Sequence, residues 1–483
     1  MNRRLILNLV GAVLLLEAAM LAISSAISLI MHSNDHPALI ISSAIALAAG
    51  VLMRLVKPHD ETLRAREGFT VVALGWILVS CFGALPFYIH GAVPTYVDAL
   101  FETVSGFTTT GATILTDVEA LPLGLQFWRS FTHWAGGMGV LVLSLAIMPR
   151  MGARSIHLMR AESPGPSPDK MVPRIGTNSK ILCTIYLALT FLMLVVLMAC
   201  GLDWYEAITH TFATAGTGGF SMFADSIAHY DTHIQTIIGV FCMLFGVNFA
   251  LYYALIRGEF KTVLKNSEFR LYIMIIAVST LLIALNILPL YGGDMSSSVQ
   301  QAFFQVSSVI TTTGFATANF DLWPTLSKMV LMILMLTGCC AGSTGGGLKL
   351  IRVEVLCKVM ARDIRRTVKP RSVELIKLDG RVVEEETVSG VMGFFFVYIL
   401  VLLISCVLVS FDSFVRDVSF ESCFSGVLAT LSNIGPGFGE VGPAGNFAGF
   451  TLFSKLIFSL DMLIGRLELF PLLMFCSSRA WRK

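Results

Sequence analysis

Long apolar stretches alternate with short polar connections along almost the whole chain. A helix needs about 20 apolar residues to cross the hydrocarbon layer of a membrane. Ten stretches approach or exceed that length, at residues 5–31, 37–56, 68–90, 124–149, 180–201, 232–256, 268–289, 325–357, 389–411 and 446–477. The pattern therefore predicts an all-α polytopic membrane protein with ten crossings and with both termini on the same side.

Four connections on one side of the membrane contain a second apolar segment of about 12 residues, which is too short to span. These segments lie at residues 97–113, 205–221, 299–317 and 420–437, and they align without gaps on Gly111, Gly219, Gly314 and Gly435. Each segment follows one long apolar stretch and precedes another. We therefore predict four pseudo-repeats of helix, re-entrant pore helix plus filter strand, and helix around a central pore, preceded by two extra N-terminal transmembrane helices.

The repeats divide the chain into five predicted parts. They are an N-terminal two-helix segment (1–66), pore repeat 1 (67–179), pore repeat 2 (180–265), pore repeat 3 with an intramembrane gating loop (266–385) and pore repeat 4 (386–483).

Basic residues are concentrated in alternate connections. Nearly all of the 34 Lys and Arg lie at the two termini and in residues 57–66, 150–180, 257–270 and 349–381. The other connections are almost bare, with Arg129, Lys328, Arg416 and Lys455 near helix entrances. Because positive charge is retained on the cytoplasmic side, we predict that both termini are cytoplasmic.

Acidic residues cluster on the outward connections, with few positive partners nearby in the sequence. They are Asp98, Glu102, Asp117, Glu119, Asp203, Glu206, Asp225, Asp231, Asp321, Asp417, Glu421 and Glu440. Such a cluster predicts a negative vestibule that enriches cations.

Composition excludes several classes of protein. With 55% hydrophobic and 14% charged residues, the chain has no water-soluble core of this size, and a net charge of +2 gives no indication of nucleic-acid binding. The ten cysteines show no CxxC pair, and the nine histidines form no HExxH pattern. No constellation of nucleophile, acid and base is present, so we predict neither an enzyme nor a cofactor in this chain.

The residues around the four aligned glycines suit a dehydrated cation. Backbone carbonyls replace lost hydration when the dihedral angles turn their oxygens inward, and glycine reaches such angles without steric cost. Neighbouring threonines add hydroxyl oxygens. The predicted potassium filter comprises Thr109, Thr110, Gly111, Thr217, Gly218, Gly219, Thr312, Thr313, Gly314, Asn433, Ile434 and Gly435.

A glycine-rich run interrupts the eighth apolar stretch between Gly338 and Gly347. At about 1 kcal/mol per glycine it cannot hold a helix. It is either a gate on the inner side of the filter or a kink that lets helices pack closely.

Two cations accompany this run. Arg466, inside the last apolar stretch, either repels cations below the filter, pins the glycine run, snorkels to the cytoplasmic surface, or pairs with Glu468 or a backbone carbonyl. Lys349 is a gating residue or an interfacial anchor. The predicted gating residues are Gly338, Gly342, Ser343, Thr344, Gly345, Gly346, Gly347, Lys349 and Arg466.

The four filter segments, together with LTGCCAGSTGGGLK (Leu336 to Lys349) and IGRLELFP (Ile464 to Pro471), resemble the TrkH family of bacterial Trk potassium-uptake systems. The resemblance covers essentially the whole chain, and the two extra N-terminal helices favour TrkH over the shorter KtrB proteins of the same superfamily, which also includes plant HKT transporters. It implies potassium uptake across the inner (cytoplasmic) membrane, filter glycines that mark selectivity over sodium, and a gate formed by the glycine run with Arg466. The fourth strand departs from the pattern, with Asn433-Ile434-Gly435-Pro436 in place of hydroxyl residues.

The resemblance also implies partners. Family members work with a cytosolic ring of TrkA-like regulatory subunits, which bind NAD(H) and ATP or ADP, and they form homodimers. The basic connection from Lys349 to Arg381 either contacts anionic lipid or docks that ring. The alternative function is a proton- or sodium-coupled secondary cation transporter with discontinuous helices at the bilayer midplane, but four equivalent glycines favour a pore.

Overall fold

The computed structural model describes residues 2–58, 65–147, 175–370 and 374–467. The regular structure of these residues is almost entirely helical. The helices are α1 (Arg3–Ile30), α2 (His36–Arg54), α3 (Ala65–Gly83), α4 (Leu85–His90), α5 (Tyr96–Phe107), α6 (Leu123–Ile147), α7 (Ile175–Ala199), α8 (Trp204–Ala215), α9 (Thr232–Phe245), α10 (Phe249–Ile256), α11 (Phe260–Lys265), α12 (Ser267–Ile287), α13 (Met295–Ile310), α14 (Thr325–Thr337), α15 (Leu350–Val368), α16 (Glu385–Val409), α17 (Phe420–Leu431) and α18 (Leu452–Arg466). A two-stranded antiparallel hairpin, β1 (Lys377–Leu378) and β2 (Arg381–Val382), precedes α16. The predicted all-α membrane fold is confirmed.

Six helical segments of the described part of the chain are long and apolar enough to cross a membrane, and a bent pair makes a seventh. They are Arg3–Ile30, His36–Arg54, Glu67–His90, Lys180–Ala199, Ser267–Tyr291 and Glu385–Phe414, with Thr232–Phe245 plus Phe249–Ile256 as the pair.

Three predicted stretches differ from a single straight span. The pair α9 and α10 meets at 91°. The stretch 325–357 is wrong as one crossing, because α14 ends at Thr337 and α15 begins only at Leu350. Of the stretch 446–477, residues 468–477 lie outside the described residues, as does most of the basic connection 150–180.

The first two helices form a close antiparallel hairpin beside repeat 1. A Cβ atom on Gly11 would lie 2.9 Å from the carbonyl oxygen of Gly50, and one on Gly50 would lie 3.0 Å from that of Gly11. Small residues at a helix crossing let the two backbones approach, which favours association within lipid. Helix α1 also packs against α3 and α6, so the hairpin flanks the first repeat.

Four short helices, α5, α8, α13 and α17, are the re-entrant elements that the sequence predicts. They contain 12, 12, 16 and 12 residues, which is too few to cross the hydrocarbon layer. At the start of each, a side chain of the N-cap residue accepts a backbone hydrogen bond, as is usual for exposed helix starts. These N-caps are Thr95, Asp203, Asp294 and Ser419.

The bend between α9 and α10 has a local cause. Asn248 caps α10, since its Oδ1 accepts a hydrogen bond of 2.8 Å from the Ala250 amide. Gly246 lies so close to α12 that a Cβ atom there would be 2.6 Å from the Tyr272 hydroxyl. Its carbonyl accepts from the amide of Cys340 at 3.2 Å. The bend therefore seats the glycine-rich segment that follows α14.

Candidate ion-conducting site

Each of the four short helices ends in the same backbone motif. In the first, the amide of Thr109 donates to Gly106 and the amide of Thr110 donates to Ser105, at 3.1 and 2.9 Å. This pair of bonds is a Schellman motif, whose capping residue takes the left-handed conformation and is usually glycine. The same two bonds recur at the ends of α8, α13 and α17.

The capping residues of these motifs are unusual because none is glycine. They are Thr109, Thr217, Thr312 and Asn433, with φ of 53°, 56°, 57° and 57°. The described residues contain seven non-glycine residues with positive φ, and four of them occupy this one position. For a β-branched residue the left-handed conformation is an outlier, and strain of this kind gathers at functional sites.

Two residues after each cap stands one of the four aligned glycines, again with positive φ. The values are 79° for Gly111, 79° for Gly219, 81° for Gly314 and 99° for Gly435. A Cβ atom on any of them would approach a carbonyl oxygen of the next strand to less than 3.0 Å. The oxygens concerned belong to Gly218, Thr313, Ile434 and Thr110, in that order.

These contacts close a ring. Strand 1 faces strand 2, strand 2 faces strand 3, strand 3 faces strand 4, and strand 4 returns to strand 1. The structure thus brings all twelve predicted filter residues together around one axis. It places the fourth strand in the ring as well, although Asn433, Ile434 and Pro436 depart from the threonine-rich pattern of the other three.

A cavity of about 130 Å³ opens on the outer side of this ring. Its wall includes the four aligned glycines and residues of each following segment, among them Thr113, Ser221, Ala316 and Pro436. The four strands therefore open into one shared cavity.

Five of the twelve acidic residues predicted to lie on the outward connections pair with a lysine or arginine. All four outward basic residues form ion pairs with them. Lys455 pairs with Asp98 at 2.6 Å, Arg416 with Glu440 at 2.6 Å, Arg129 with Glu102 at 2.8 Å, and Lys328 with Asp321 and Glu421 at 3.4 and 3.5 Å. Apart from Lys328 with Asp321, the pairs join residues at least 24 positions apart, which is why sequence proximity gave no sign of them.

The pair of Glu102 and Arg129 supports the first filter strand from behind. Both side chains are buried. Glu102 also accepts hydrogen bonds of 3.0 Å from the hydroxyl of Thr113 and from the amide of Ile114, just after Gly111. Arg129 reaches the carbonyl of Ser221 at 3.3 Å in repeat 2. Sequence reasoning missed this pair, although an arginine in an otherwise bare outward connection is a signal for a buried partner.

The glycine-rich segment, here called the glycine loop (residues 338–349), lies on the inner side of strands 3 and 4. The amide of Gly346 donates to the hydroxyl of Thr312 at 2.7 Å. A Cβ atom on Gly345 would lie 2.9 Å from the Thr311 carbonyl oxygen, and one on Gly346 would lie 2.9 Å from that of Ser432. The loop therefore abuts the inner ends of two filter strands.

The backbone of the loop needs its glycines. Gly338, Gly342 and Gly347 have φ of 60°, 70° and 68°. Between them, the hydroxyl of Ser343 donates to the Cys340 carbonyl at 2.6 Å, and that of Thr344 donates to the Phe245 carbonyl at 3.3 Å. The segment is a folded loop, so the alternative of a kinked continuous helix does not describe it.

Arg466 joins the loop to the wall of the pore. Its Nη1 donates to the carbonyl of Thr344 at 2.8 Å, and its Nη2 donates to the carbonyl of Gly136 in α6 at 2.7 Å. Among the alternatives for this residue, pinning the loop through a backbone carbonyl fits these contacts. Glu468, the other candidate partner, lies outside the described residues.

Lys349 reaches back into the loop that it terminates. Its ammonium group donates to the carbonyl of Gly345, and the residue is 8% exposed. Such burial does not fit an interfacial anchor, because an anchor keeps its ammonium in water. Both cations of the predicted gate therefore hold carbonyls at the tip of the loop.

Comparison with known proteins adds independent findings. The model of the family described as TrkH, cation transport protein, matches residues 35–482. The chain is 39% identical over 493 residues to the Trk system potassium uptake protein TrkH of Escherichia coli (strain K12), and 36% identical over 490 residues to that of Vibrio parahaemolyticus, with 100% of each chain covered. The crystal structure of the potassium transporter TrkH from Vibrio parahaemolyticus is similar to this fold, with a TM-score of 0.89, 34% identity and complete coverage of both chains.

Proposed function

The chain belongs to the TrkH family of cation transport proteins, and we propose that it takes up potassium ions across the bacterial inner membrane through the ring of four filter strands. The observation that carries the proposal is the closure of the ring: four left-handed caps and four left-handed glycines bring one carbonyl of each strand against the next strand. Rings of backbone carbonyls replace the hydration shell of a potassium ion.

The four pore helices favour a cation at this position. Each helix aims its C-terminus, which carries about half a negative elementary charge, at the filter strand that follows it. The N-termini of α5, α8, α13 and α17 lie at the opposite ends of these helices, away from the filter strands. The arrangement therefore concentrates negative potential in the middle of the membrane, where an ion has lost most of its water.

Two oxygen atoms at the inner end of the filter support its ion-binding role. The Thr109 hydroxyl and the Asn433 side-chain carbonyl are buried, and within the described part of the chain neither has a hydrogen-bond partner. Buried polar atoms are normally satisfied. We propose that both face the permeating ion, so that Asn433 supplies in strand 4 an oxygen like that of Thr109 in strand 1.

The glycine loop is the gate of this proposal. It abuts the inner ends of strands 3 and 4, and Arg466 and Lys349 hold its tip there through the carbonyls of Thr344 and Gly345. A guanidinium close to the inner end of the filter also repels a cation that leaves it. Opening then requires the loop to give up these side-chain bonds.

Further parts of the proposal rest on family membership. A cytosolic TrkA-like ring regulates the loop and carries any NAD(H), ATP or ADP, while this chain binds only potassium as its substrate. Two copies of the chain associate in the membrane, and the repeats divide at the predicted boundaries. A single fourfold ring supports a pore over a coupled secondary transporter, since alternating access uses an interface between two large repeats.

The test uses cells that lack potassium uptake and are supplied with the cytosolic partner. The intact chain is expected to restore growth on low potassium. The Gly111→Ser variant is expected to have a lower ratio of potassium uptake to sodium uptake. Gly91→Ser is the matched control, because Gly91 has φ of 78° against 79° for Gly111 but has no atom within 4 Å of an added Cβ.

Two outcomes would count against the proposal. If the intact chain with its partner fails to restore growth, potassium uptake is the wrong function. If Gly111→Ser transports and selects ions as Gly91→Ser does, the filter is assigned to the wrong strands.

A further inference from the structure

One buried carboxylate holds both ends of the glycine loop. Glu268 stands in the first turn of α12 and is 3% exposed. Its Oε1 accepts a hydrogen bond of 2.7 Å from the amide of Ala341 and another of 3.1 Å from the amide of Ile351. We propose that Glu268 is a positioning residue that clamps the base of the loop and so keeps the gate closed; the inference rests on the function proposed above.

The two amides need an acceptor from outside the loop. Ile351 lies in the first turn of α15, where backbone amides have no partner within their own helix. Ala341 lies in the irregular backbone of the loop, where no helix or sheet supplies an acceptor. Glu268 satisfies both at once, which accounts for a polar side chain at this buried place in the helix.

The base of the loop is also closed on itself. The amide of Leu350 donates to the carbonyl of Cys339 at 3.0 Å, so the entering and leaving segments lie side by side. Glu268 bonds to Ile351, the residue after Leu350, and to Ala341, two residues after Cys339. The clamp and the loop tip, which Arg466 and Lys349 hold, therefore lie at opposite ends of the same element.

The charged groups that face Glu268 are Lys349 and Glu354. Lys358 pairs with Glu354 at 2.7 Å. The Ser267 hydroxyl donates to Glu354 at 3.0 Å, and the Ser267 amide donates to Asp379 at 2.7 Å. Because Asp379 lies in the turn between β1 and β2, this cytoplasmic hairpin fixes the helical turn that carries Glu268.

A single oxygen receives both bonds, so the acceptor and not the charge is the essential feature. Glu268→Gln keeps an oxygen at Oε1 and should hold the loop as the native residue does. Glu268→Ala removes the acceptor and leaves the two half-buried amides without it in the closed state. The closed state then loses population, and potassium flux rises by roughly tenfold, the change expected when two hydrogen bonds of ordinary strength are lost.

The experiment measures potassium flux into liposomes that contain the full chain with its cytosolic partner. Glu268→Ala is expected to raise flux without opening ligand, Glu268→Gln to match the native chain, and the control Glu259→Ala to leave flux unchanged, because Glu259 is exposed and pairs only with Arg257 among the ion pairs of the described residues. If the native chain conducts potassium and Glu268→Ala conducts no more than the native chain, the clamp is overturned. Glu268→Gln behaving as Glu268→Ala also overturns it. Absence of flux from the native chain instead overturns the proposed function.

A second measurement guards against a misfolded variant. Cys339 and Cys340 at the base of the loop are completely buried, as is Cys242 in α9. Labelling by a membrane-impermeant maleimide, read by mass spectrometry of the peptides, is expected to quicken several-fold at Cys339 and Cys340 in Glu268→Ala and to stay slow at Cys242. Equal labelling of all three sites, or of none, contradicts a local clamp.

Discussion

The filter ring and the glycine loop both depend on left-handed glycines, but they are held in different ways. In the ring, strand faces strand through backbone atoms, four times over. The loop has only single backbone bonds to the bend between α9 and α10. Elsewhere single side chains hold single backbone groups: Arg466 at Thr344, Lys349 at Gly345, and Glu268 at Ala341 and Ile351. Backbone contacts of the first kind leave little room to move, whereas side-chain bonds of the second kind are able to break one by one. The difference separates an element that selects from an element that switches.

The rigidity of the ring is needed because its backbone is strained. A non-glycine residue in the left-handed region costs of order 1–3 kcal/mol and persists only where its surroundings impose it. The two Schellman bonds at each of Thr109, Thr217 and Thr312 supply that constraint. Changes that displace the backbone of the ring should therefore abolish transport, while loss of bonds that hold the loop should increase it.

The largest effect is expected from Gly314→Ala. An added Cβ would collide with the carbonyl of Ile434 and lie 2.9 Å from Cδ of Pro436, at a φ of 81°. Potassium uptake should fall by roughly tenfold or more, given the left-handed strain and the displaced carbonyl. Gly293→Ala is the matched control, because Gly293 has φ of 83° and open space around it. Equal uptake by both variants in a rubidium uptake assay would show that the ring tolerates side chains.

The next largest effect is expected from breaking the buried ion pair between Lys455 and Asp98. Lys455→Met leaves Asp98, at the start of the first pore helix, as an unpaired buried charge, and both side chains of this pair are less than 10% exposed. Breaking a buried pair costs about 3–5 kcal/mol, so the protein in detergent should unfold at a clearly lower temperature. Arg365→Met removes an exposed pair with Glu374, which is worth at most about 1 kcal/mol. Similar unfolding temperatures for the two variants would show that the buried pair of Lys455 and Asp98 does not stabilise the fold.

Changes that release the glycine loop should raise potassium flux, whereas changes that displace the backbone of the ring lower it. Arg466→Gln loses the two bonds to Thr344 and Gly136 and removes a positive charge close to the inner end of the filter. Potassium flux should rise by roughly tenfold or more, because two bonds from a charged donor stabilise the closed state. Arg257→Gln, at an exposed arginine, should leave flux unchanged. A lower flux in Arg466→Gln would mean that this arginine supports conduction instead of opposing it.

The smallest effect should come from the contact where ring and loop meet. Thr312→Val removes the hydroxyl that accepts from the Gly346 amide at 2.7 Å, and flux should rise by roughly threefold, in keeping with one neutral hydrogen bond of about 1 kcal/mol. Thr312→Ser keeps the hydroxyl and serves as the control. If serine and valine give the same flux in the liposome assay, this contact does not contribute to closure.

The sequence predicted the features that repeat along the chain or that interrupt an apolar stretch. Four short apolar segments with an aligned glycine predicted four re-entrant helices, which the fold confirms. A glycine-rich run inside an apolar stretch predicted a break, and α14 ends at Thr337 with Gly338 as its C-cap. Periodicity and composition decide these features locally, so one sequence suffices to see them.

Contacts between distant parts of the chain were not predictable in the same way. Glu268 bonds to residues 73 and 83 positions later, and Lys455 pairs with a residue 357 positions earlier. The left-handed conformation of Thr109 is likewise hidden, because threonine favours extended backbone and its neighbours impose this one. Most ion pairs of the outward acidic residues were hidden for the same reason, since their members are neighbours only in space.

A conduit whose four quarters belong to one polypeptide differs from one assembled from identical subunits. A codon change alters a single quarter and leaves the other three as they were, so each is free to diverge during evolution. Strand 4 illustrates this freedom: the Asn433 amide group donates to the Thr110 hydroxyl at 3.0 Å and to the Met462 carbonyl at 2.9 Å. The fourth strand thus makes a side-chain bond to the first strand, and in an assembly of identical subunits no single subunit could carry such a bond alone.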